Sequence, residues 1–129
     1  MKIAKKITSL LGEIISHPTR TSYLFNKDGN DVVIRSGGDN SGDDLSGLSL
    51  KGLNLREINF EGANLSGVDF SGAHLEGANF LNATLVGAKL AGAHLEGVRF
   101  DIDNLSSAII ESPPNGISDE VIMKIRSGG

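Results

Sequence analysis

The sequence predicts an all-β solenoid, in which the chain winds into four-sided coils that stack along one axis. Three observations predict this fold class. A large apolar residue recurs at every fifth position from Leu45 to Ile110, and a second period of twenty residues is superimposed on the first. Glycine accounts for 17 of the 129 residues, roughly double its usual share of about 7%.

The period of five excludes both common regular structures. On an α-helix, five steps turn a side chain by about 140°, so the apolar residues would spiral around every face. On a strand, an odd step moves a side chain to the opposite face of the sheet. A chain that turns a corner once in five residues keeps the apolar position inward, and glycine near each corner accommodates the turn. The predicted core residues are Leu45, Leu50, Leu55, Phe60, Leu65, Phe70, Leu75, Phe80, Leu85, Leu90, Leu95, Phe100, Leu105 and Ile110.

The period of twenty indicates that four sides complete one coil. The run Gly-Ala-His-Leu-Glu-Gly at 72–77 recurs at 92–97, and Phe60, Phe80 and Phe100 are also twenty residues apart. With four sides to a coil, these three rings stack on one wall. A second inward column lies two residues before each core position and consists mostly of small apolar residues. Asp43 and Asp103 interrupt that column.

The individual units resemble the pentapeptide repeat family, whose unit reads Ala-Asp/Asn-Leu followed by any two residues. The chain has Ala-Asn-Leu-Ser-Gly at 63–67 and Val-Asp-Phe-Ser-Gly at 68–72. The resemblance implies a right-handed, four-sided β-helix of about 3.5 coils over residues 43–112. The departures at Asp43 and Asp103 predict a loosened first unit and a deformed last coil.

The N-terminal flank, residues 1–42, is predicted to cover one open end of the stack. Residues 1–17 have helical apolar spacing that ends before Pro18. Thr21–Phe25 and Asp31–Arg35 are predicted to form a hairpin, with Asp-Gly at 28–29 as the turn signal, and residues 36–41 form a Gly-rich connection.

Two alternatives for the N-terminal helix remain open. Its lysines allow weak attraction to an anionic membrane surface, and its opening residues could serve as a secretion signal. Gly12 and Glu13 interrupt the apolar stretch, which argues against a cleaved signal peptide, and we expect no membrane span.

The C-terminal flank, residues 113–129, is predicted to cover the other end. Two prolines at 113–114 stop the coil, and Ser118 can cap a short helix. Val121, Ile122 and Ile125 form its apolar stripe, and Gly128 lies near its exit.

The sequence favours a protein that is not an enzyme and holds no cofactor. Leucine and phenylalanine fill the predicted bore and leave no deep cleft. The chain has no cysteine, and we find no nucleophile elbow, phosphate-binding loop or His-Glu-x-x-His motif. Residues 43–112 carry a net charge of −6, which disfavours direct nucleic-acid binding.

Two sets of outward residues are candidates for an interaction surface. His74 and His94 lie one coil apart, with Glu76 and Glu96 beside them. This set could bind a transition metal, but a duplicated twenty-residue surface explains it better, so we predict no metal site. The second set is the apolar group Leu81, Val86 and Ala91 on three successive sides of one coil. It is either a contact surface or a patch covered by the N-terminal flank.

The first functional hypothesis is a protein–protein interaction module, either an adaptor in the bacterial cytoplasm or an effector exported into a host cell. The layout, with a non-repeat region before the coils, resembles that of pentapeptide-repeat type III effectors. The family also implies an alternative, a DNA mimic that binds DNA gyrase or topoisomerase IV and protects it from inhibitors. A rod of about 17 Å covers only about five base pairs, so this alternative calls for a homodimer formed through the C-terminal helix.

Overall fold

The computed structural model describes residues 21–105, 107–108 and 114–126. The predicted helix over 1–17, the core position Ile110 and Gly128 lie outside the described residues. The elements are strands β1 (Thr21–Phe25) and β2 (Asp31–Arg35) and helices α1 (Ile102–Leu105) and α2 (Asp119–Arg126). Between β2 and α1 the chain runs through short sides and corners without a continuous strand.

Parallel backbone bridges between residues twenty apart confirm the four-sided coil. Asn64 pairs with Asp44 in the coil before it and with Thr84 in the coil after it. Such bridges recur at every fifth residue, and the first residue of each pair runs from Asp39 to Asn79. The core residue beside each bridge continues the ladder, as where the Leu65 N–H donates to the Thr84 carbonyl at 2.8 Å. Each wall is therefore a narrow parallel ladder in which like positions stack.

The corners depend on glycine and on an Asn or Asp side chain. The glycine two residues after the core position has a positive φ, between 66° and 76° across the repeats, which residues with a Cβ adopt only at a cost. The Asn or Asp just before the core residue caps the same corner, as where Asn64 Oδ1 accepts the Ser66 N–H at 3.1 Å. The Asn/Asp-Leu-x-Gly pattern thus encodes the turn as well as the core.

In the described part of the coil, two corners hold a residue other than glycine at a positive φ. Glu57 has φ 59° and Asn82 has φ 60°. We expect Glu57→Gly to raise the free energy of unfolding by about 0.5–1 kcal/mol, because glycine removes the cost of the left-handed backbone. Asn82→Gly should gain less, because asparagine tolerates this conformation better than glutamate does. Urea unfolding of the two variants tests the expectation, and a destabilised Glu57→Gly would contradict it.

The core is one continuous cluster of apolar side chains from all four walls, and it fills the bore along the axis. The predicted core residues that are at most 1% exposed are Leu45, Leu50, Leu55, Phe60, Leu65, Phe70, Leu75, Phe80, Leu85, Leu90, Leu95 and Leu105. The second inward column is buried from Ile58 to Ala93. The members towards the two ends of this column are partly buried and pack against the core; they are Leu48, Leu53, Val98 and Ala108.

The aromatic cluster differs from the predicted stack of three rings. Phe60 and Phe80 stack as expected, with ring centroids 5.6 Å apart and planes inclined by 19°. Phe70, from the opposite wall, contacts them at 5.8 and 5.7 Å. Phe100 is half-buried and packs against the core near its C-terminal end. Because the bore is narrow, rings from opposite walls meet across it, and the spacing within one column of the repeat does not predict this contact.

The coil begins earlier than residue 43. Gly37 N–H donates to the Arg56 carbonyl and Asn40 N–H to the Asn59 carbonyl, both at 2.8 Å, so the predicted Gly-rich connection is part of the first coil. Asn40 occupies an inward position with 4% of its surface exposed. Its Nδ2 donates to the Val33 carbonyl and to Asp43 Oδ2, both at 3.1 Å. Asp43 therefore helps to anchor the hairpin on the coil rather than loosening the first unit.

At the other end, α1 replaces one predicted five-residue unit. The N–H groups of Asn104 and Leu105 both donate to the Asp101 carbonyl at 3.1 Å. Asp103 stands where a small apolar residue would point inward, and burying its carboxylate without a partner is costly. A helical turn keeps Asp103 exposed while Leu105 stays buried.

The C-terminal segment returns to the ladder before α2. Leu95 N–H donates to the Asn115 carbonyl at 2.8 Å, and Asn115 N–H donates to the Ala93 carbonyl at 2.7 Å. Helix α2 follows where the sequence predicted it, with Val121 N–H 3.4 Å from Ser118 Oγ. Ile122, from the predicted stripe, is 5% exposed.

Candidate interaction surface

The outward side chains over Leu55, Leu75 and Leu95 form a polar surface whose side chains contact one another from coil to coil, and we call it the histidine wall. Its members are Asn54, Arg56, His74, Glu76, His94, Glu96 and Asn115. Asn54 pairs with His74, His74 with His94, and His94 with Asn115, so one backbone ladder spaces the first column.

The two histidines form a parallel stack. Their ring centroids are 4.5 Å apart and their planes differ by 4°. The separation follows from the spacing of neighbouring coils, about 4.8 Å. At the outer end of the stack, Asn115 Nδ2 lies 3.5 Å from His94 Nδ1. The ladder therefore holds the two rings face to face.

Arg56 connects the members of the wall, and its role was not predicted from the sequence. Its Nη1 donates to Asn54 Oδ1 at 3.0 Å and its Nε to Glu76 Oε2 at 2.8 Å. Its Nη2 lies 3.1 Å from His74 Nδ1. The available signal was its position twenty residues before Glu76, which places it in the same column one coil away.

The acidic members of the wall differ in their surroundings. For Glu76, burial works to raise the carboxyl pKa, but a hydrogen bond to its own backbone N–H and the nearby Arg56 charge outweigh it and hold the pKa below its ordinary value. Glu96 is exposed and lies against the backbone of Gly116. Within the described ranges, no three His, Cys, Asp or Glu side chains converge on one point where a metal ion could be held.

The predicted surface residues do not form one patch. His74, His94, Glu76 and Glu96 share the histidine wall, whereas Val86 lies over Leu85 on the wall opposite. Val86 is 59% exposed, and Leu81, on the wall between, is half-buried. The two candidate sets are thus two separate surfaces.

The corner carboxylates predict an acid-sensitive fold. The pKa values of Asp39, Asp44 and Asp69 lie below the ordinary 3.8. The chief cause is the serine two residues later, whose hydroxyl and, to a smaller extent, backbone N–H donate hydrogen bonds to the carboxylate. A carboxyl whose pKa is lowered by folding adds stability above its unfolded pKa and loses it as the pH falls through the folded value. We therefore expect a level Tm from neutral pH down to about pH 5 and a fall below about pH 4.

The control for this expectation retains the corner hydrogen bonds without the charge. Asparagine caps the equivalent corners at Asn64 and Asn79, so Asp39→Asn, Asp44→Asn and Asp69→Asn together should preserve the turns. The triple variant should lose less stability in acid than the unchanged chain. If thermal melts across this pH range show the same fall in Tm for the triple variant and the unchanged chain, the three carboxylates are not the origin of the acid sensitivity.

Comparison with known proteins agrees with the repeat period. A family model for pentapeptide repeats matches residues 44–80 and 63–101, with eight copies. No curated protein matches the chain in sequence. Among the described residues, no helix has the length and apolar character needed to cross a membrane.

Three solved pentapeptide repeat proteins are similar to the chain. One, from the thylakoid lumen of Arabidopsis thaliana, is 37% identical with a TM-score of 0.45, over 62% of this chain and 60% of that one. A second, from the cyanobacterium Cyanothece 51142, is 28% identical with a TM-score of 0.38, over 58% of each chain.

The third is HetL from Nostoc sp. strain PCC 7120, which is involved in regulating heterocyst differentiation. It is 28% identical with a TM-score of 0.28, over 62% of this chain and 38% of that one. The chain thus spans at most about three fifths of the length of these proteins.

Proposed function

Since residues 44–101 are a region of pentapeptide repeats, we propose that the chain is a non-enzymatic protein–protein interaction module. The observation that carries the proposal is the filled bore: the core residues from Leu45 to Leu95 are at most 1% exposed. Enzymes place their reactive groups in a concave pocket that excludes water. Here the polar side chains lie on the outer walls, where a macromolecule can reach them.

The cavity beside the hairpin does not favour catalysis. It measures about 320 Å³, and its lining combines carboxylates and amides with one valine and one glycine. It contains no histidine, serine or threonine that could act with a carboxylate as a nucleophile and base. The lining residues are Asn26, Asp28, Asn30, Asp31, Val32, Gly42, Asp43 and Asp44.

We propose that the histidine wall is the contact surface. Its side chains are held by one another and by the backbone ladder, as the Arg56–Glu76 contact at 2.8 Å illustrates. A surface ordered before binding loses less conformational entropy when the partner arrives. For its biological setting we propose a bacterial adaptor, or an effector that a type III system exports, and the non-repeat region before the coils supports the second.

The alternative role, protection of a type II topoisomerase by DNA mimicry, is favoured by the net charge of −6 over residues 43–112. It calls for a second copy, because each bridged column has at most four layers among the described residues, or roughly 14 Å from first to last. A gel-filtration mass near the 13.5 kDa of one chain would weaken it.

Affinity capture followed by measured binding tests the proposal. The chain is used as bait in bacterial lysate, in host-cell lysate and with purified gyrase, and the retained protein is purified for calorimetry. We expect Glu96→Lys, on the histidine wall, to weaken binding at least about tenfold, or about 1.4 kcal/mol. Glu61→Lys makes the same charge change on another wall and should change the affinity less than about twofold.

Two results would count against the proposal. If no protein is retained beyond the level of an unrelated bait, the interaction role is unsupported. If both variants bind as the unchanged chain does, the histidine wall is not the contact surface. Retention of gyrase with loss of inhibitor sensitivity would favour the topoisomerase role instead.

A further inference from the structure

We propose that His74 changes its hydrogen-bond partner with pH, from Arg56 when the ring is neutral to Glu76 when the ring is protonated, so that the histidine wall presents two different surfaces. This inference goes beyond the interaction role and does not depend on it. It stands on the positions of three side chains and on one carboxylate oxygen that lacks a hydrogen bond.

His74 Nδ1 lies between two competing groups. Arg56 Nη2 is 3.1 Å away and Glu76 Oε1 is 3.5 Å away. A guanidinium has only donors, so the contact with Arg56 requires a lone pair on Nδ1 and therefore a neutral ring with its proton on Nε2. The 3.1 Å contact with Arg56 is therefore that of the neutral ring, whose Nδ1 donates no hydrogen bond to Glu76.

Glu76 can accept a hydrogen bond from the protonated ring. Its Oε2 accepts from Arg56 Nε at 2.8 Å, but its Oε1 is buried and has no hydrogen-bond partner. A buried acceptor without a partner is costly. When Nδ1 gains a proton it can donate to Oε1, and the contact can shorten to the roughly 2.7–2.9 Å of charge-assisted bonds.

The same proton removes the contact with Arg56. The protonated Nδ1 no longer accepts, and the two positive groups repel each other. The Arg56 side chain is already 44% exposed, so its Nη2 can turn into solvent while Glu76 keeps a cation on each oxygen. The guanidinium head thus projects further from the wall in the protonated state.

The remaining groups around the ring carry charges of both signs. From the coil before, Arg56 and Glu57 are charged and Asn54 is neutral. From the coil after, His94 stacks on the ring at 4.5 Å, and Glu96 follows Glu76 in its column. Asn115, from the C-terminal segment, carries no charge. Two protonated rings at 4.5 Å would repel each other.

Imidazole and guanidinium NMR tests the exchange in the full chain. Imidazole titrates in the range from about pH 8 to pH 5, so the ¹⁵N shifts of both rings and the Arg56 Nε–H signal are followed across it. We expect Nε2–H on His74 at high pH, a proton on its Nδ1 at low pH, and faster solvent exchange of the Arg56 side chain as that proton binds.

Two variants with the same charge change separate the proposal from general electrostatics. Glu76→Gln removes the negative charge and one of the two acceptor oxygens, so His74 should take up its proton at clearly lower pH than in the unchanged chain. Glu96→Gln, one coil away, should leave the titration of His74 nearly unchanged. Both substitutions preserve side-chain shape, and their thermal melts check that the fold is intact.

The proposal is overturned by any of three results. One is Nδ1–H on His74 at high pH, and another is an equal response to Glu76→Gln and Glu96→Gln. The third is an Arg56 signal that stays constant while His74 titrates.

Discussion

Phe70→Ala is expected to lower the free energy of unfolding by about 3–5 kcal/mol. The ring is completely buried and lies 5.8 Å from Phe60 and 5.7 Å from Phe80. Removing it leaves a cavity at the centre of the bore, where ladder hydrogen bonds prevent the coils from collapsing inward. Because domains of this size are stable by only about 5–15 kcal/mol, the loss is a large share of the total.

Phe100→Ala is the matched control for this prediction. It deletes the same atoms from the half-buried ring near the C-terminal end, so its cost should be less than half as large. Urea unfolding followed by circular dichroism measures both. Equal costs would mean that the centre of the bore is not the tightly packed part of the molecule.

Gly116→Ala is expected to detach the C-terminal segment, at a cost of about 2–4 kcal/mol. Gly116 has φ 84°, and a Cβ there would lie 2.5 Å from Glu96 N and 2.8 Å from Glu96 Cα. The segment must move outward to accommodate it. Such a movement breaks the hydrogen bonds that join Asn115 to Ala93 and Leu95 and exposes Ile122.

Gly67→Ala separates backbone strain from close approach. Gly67 also has a positive φ, 68°, but a Cβ there would meet only Gly47, at 3.9 Å. Its cost should be that of the left-handed backbone alone, about 1–2 kcal/mol. Hydrogen exchange should show local loss of protection at Leu95 and Asn115 for Gly116→Ala and not for Gly67→Ala. The reverse pattern would contradict the close packing of the segment on Glu96.

The features that the sequence predicted well are those repeated many times. The period of twenty follows from like residues recurring in register, and the bridges from Asp44 to Asn64 and from Asn64 to Thr84 have that spacing. The hairpin was predicted with its observed bounds, Thr21–Phe25 and Asp31–Arg35, because the Asp-Gly turn signal is local.

The ends of the coil were harder to predict because they break the pattern. Asn40 is inward and buried, yet an asparagine in an apolar column looks like the end of the repeat. Only its bonds to Val33 and Asp43 show why it is there. At the other end, the replacement of one unit by α1 follows from a single charged residue, Asp103, and the period gives no hint of the helix that results.

The histidine wall was predicted in part. The alignment of His74 over His94 follows from the duplicated run, and the 4.5 Å stack agrees with it. The role of Arg56 does not follow, because no second arginine repeats it in the column. Its contacts depend on the conformation of a long side chain that reaches a neighbouring coil, which a periodicity comparison does not represent.

Disulfide trapping tests the coil register, on which every wall depends. The sequence has no cysteine, so Ser46→Cys with Ser66→Cys places the only two thiols on stacked positions. Adjacent coils lie about 4.8 Å apart, within the roughly 4.4–6.8 Å between Cα atoms that a disulfide spans. Ser46→Cys with Ser71→Cys puts the second thiol on the next wall. We predict rapid intramolecular oxidation of the first pair and free, titratable thiols in the second, whereas equally rapid closure of both pairs would contradict the twenty-residue coil.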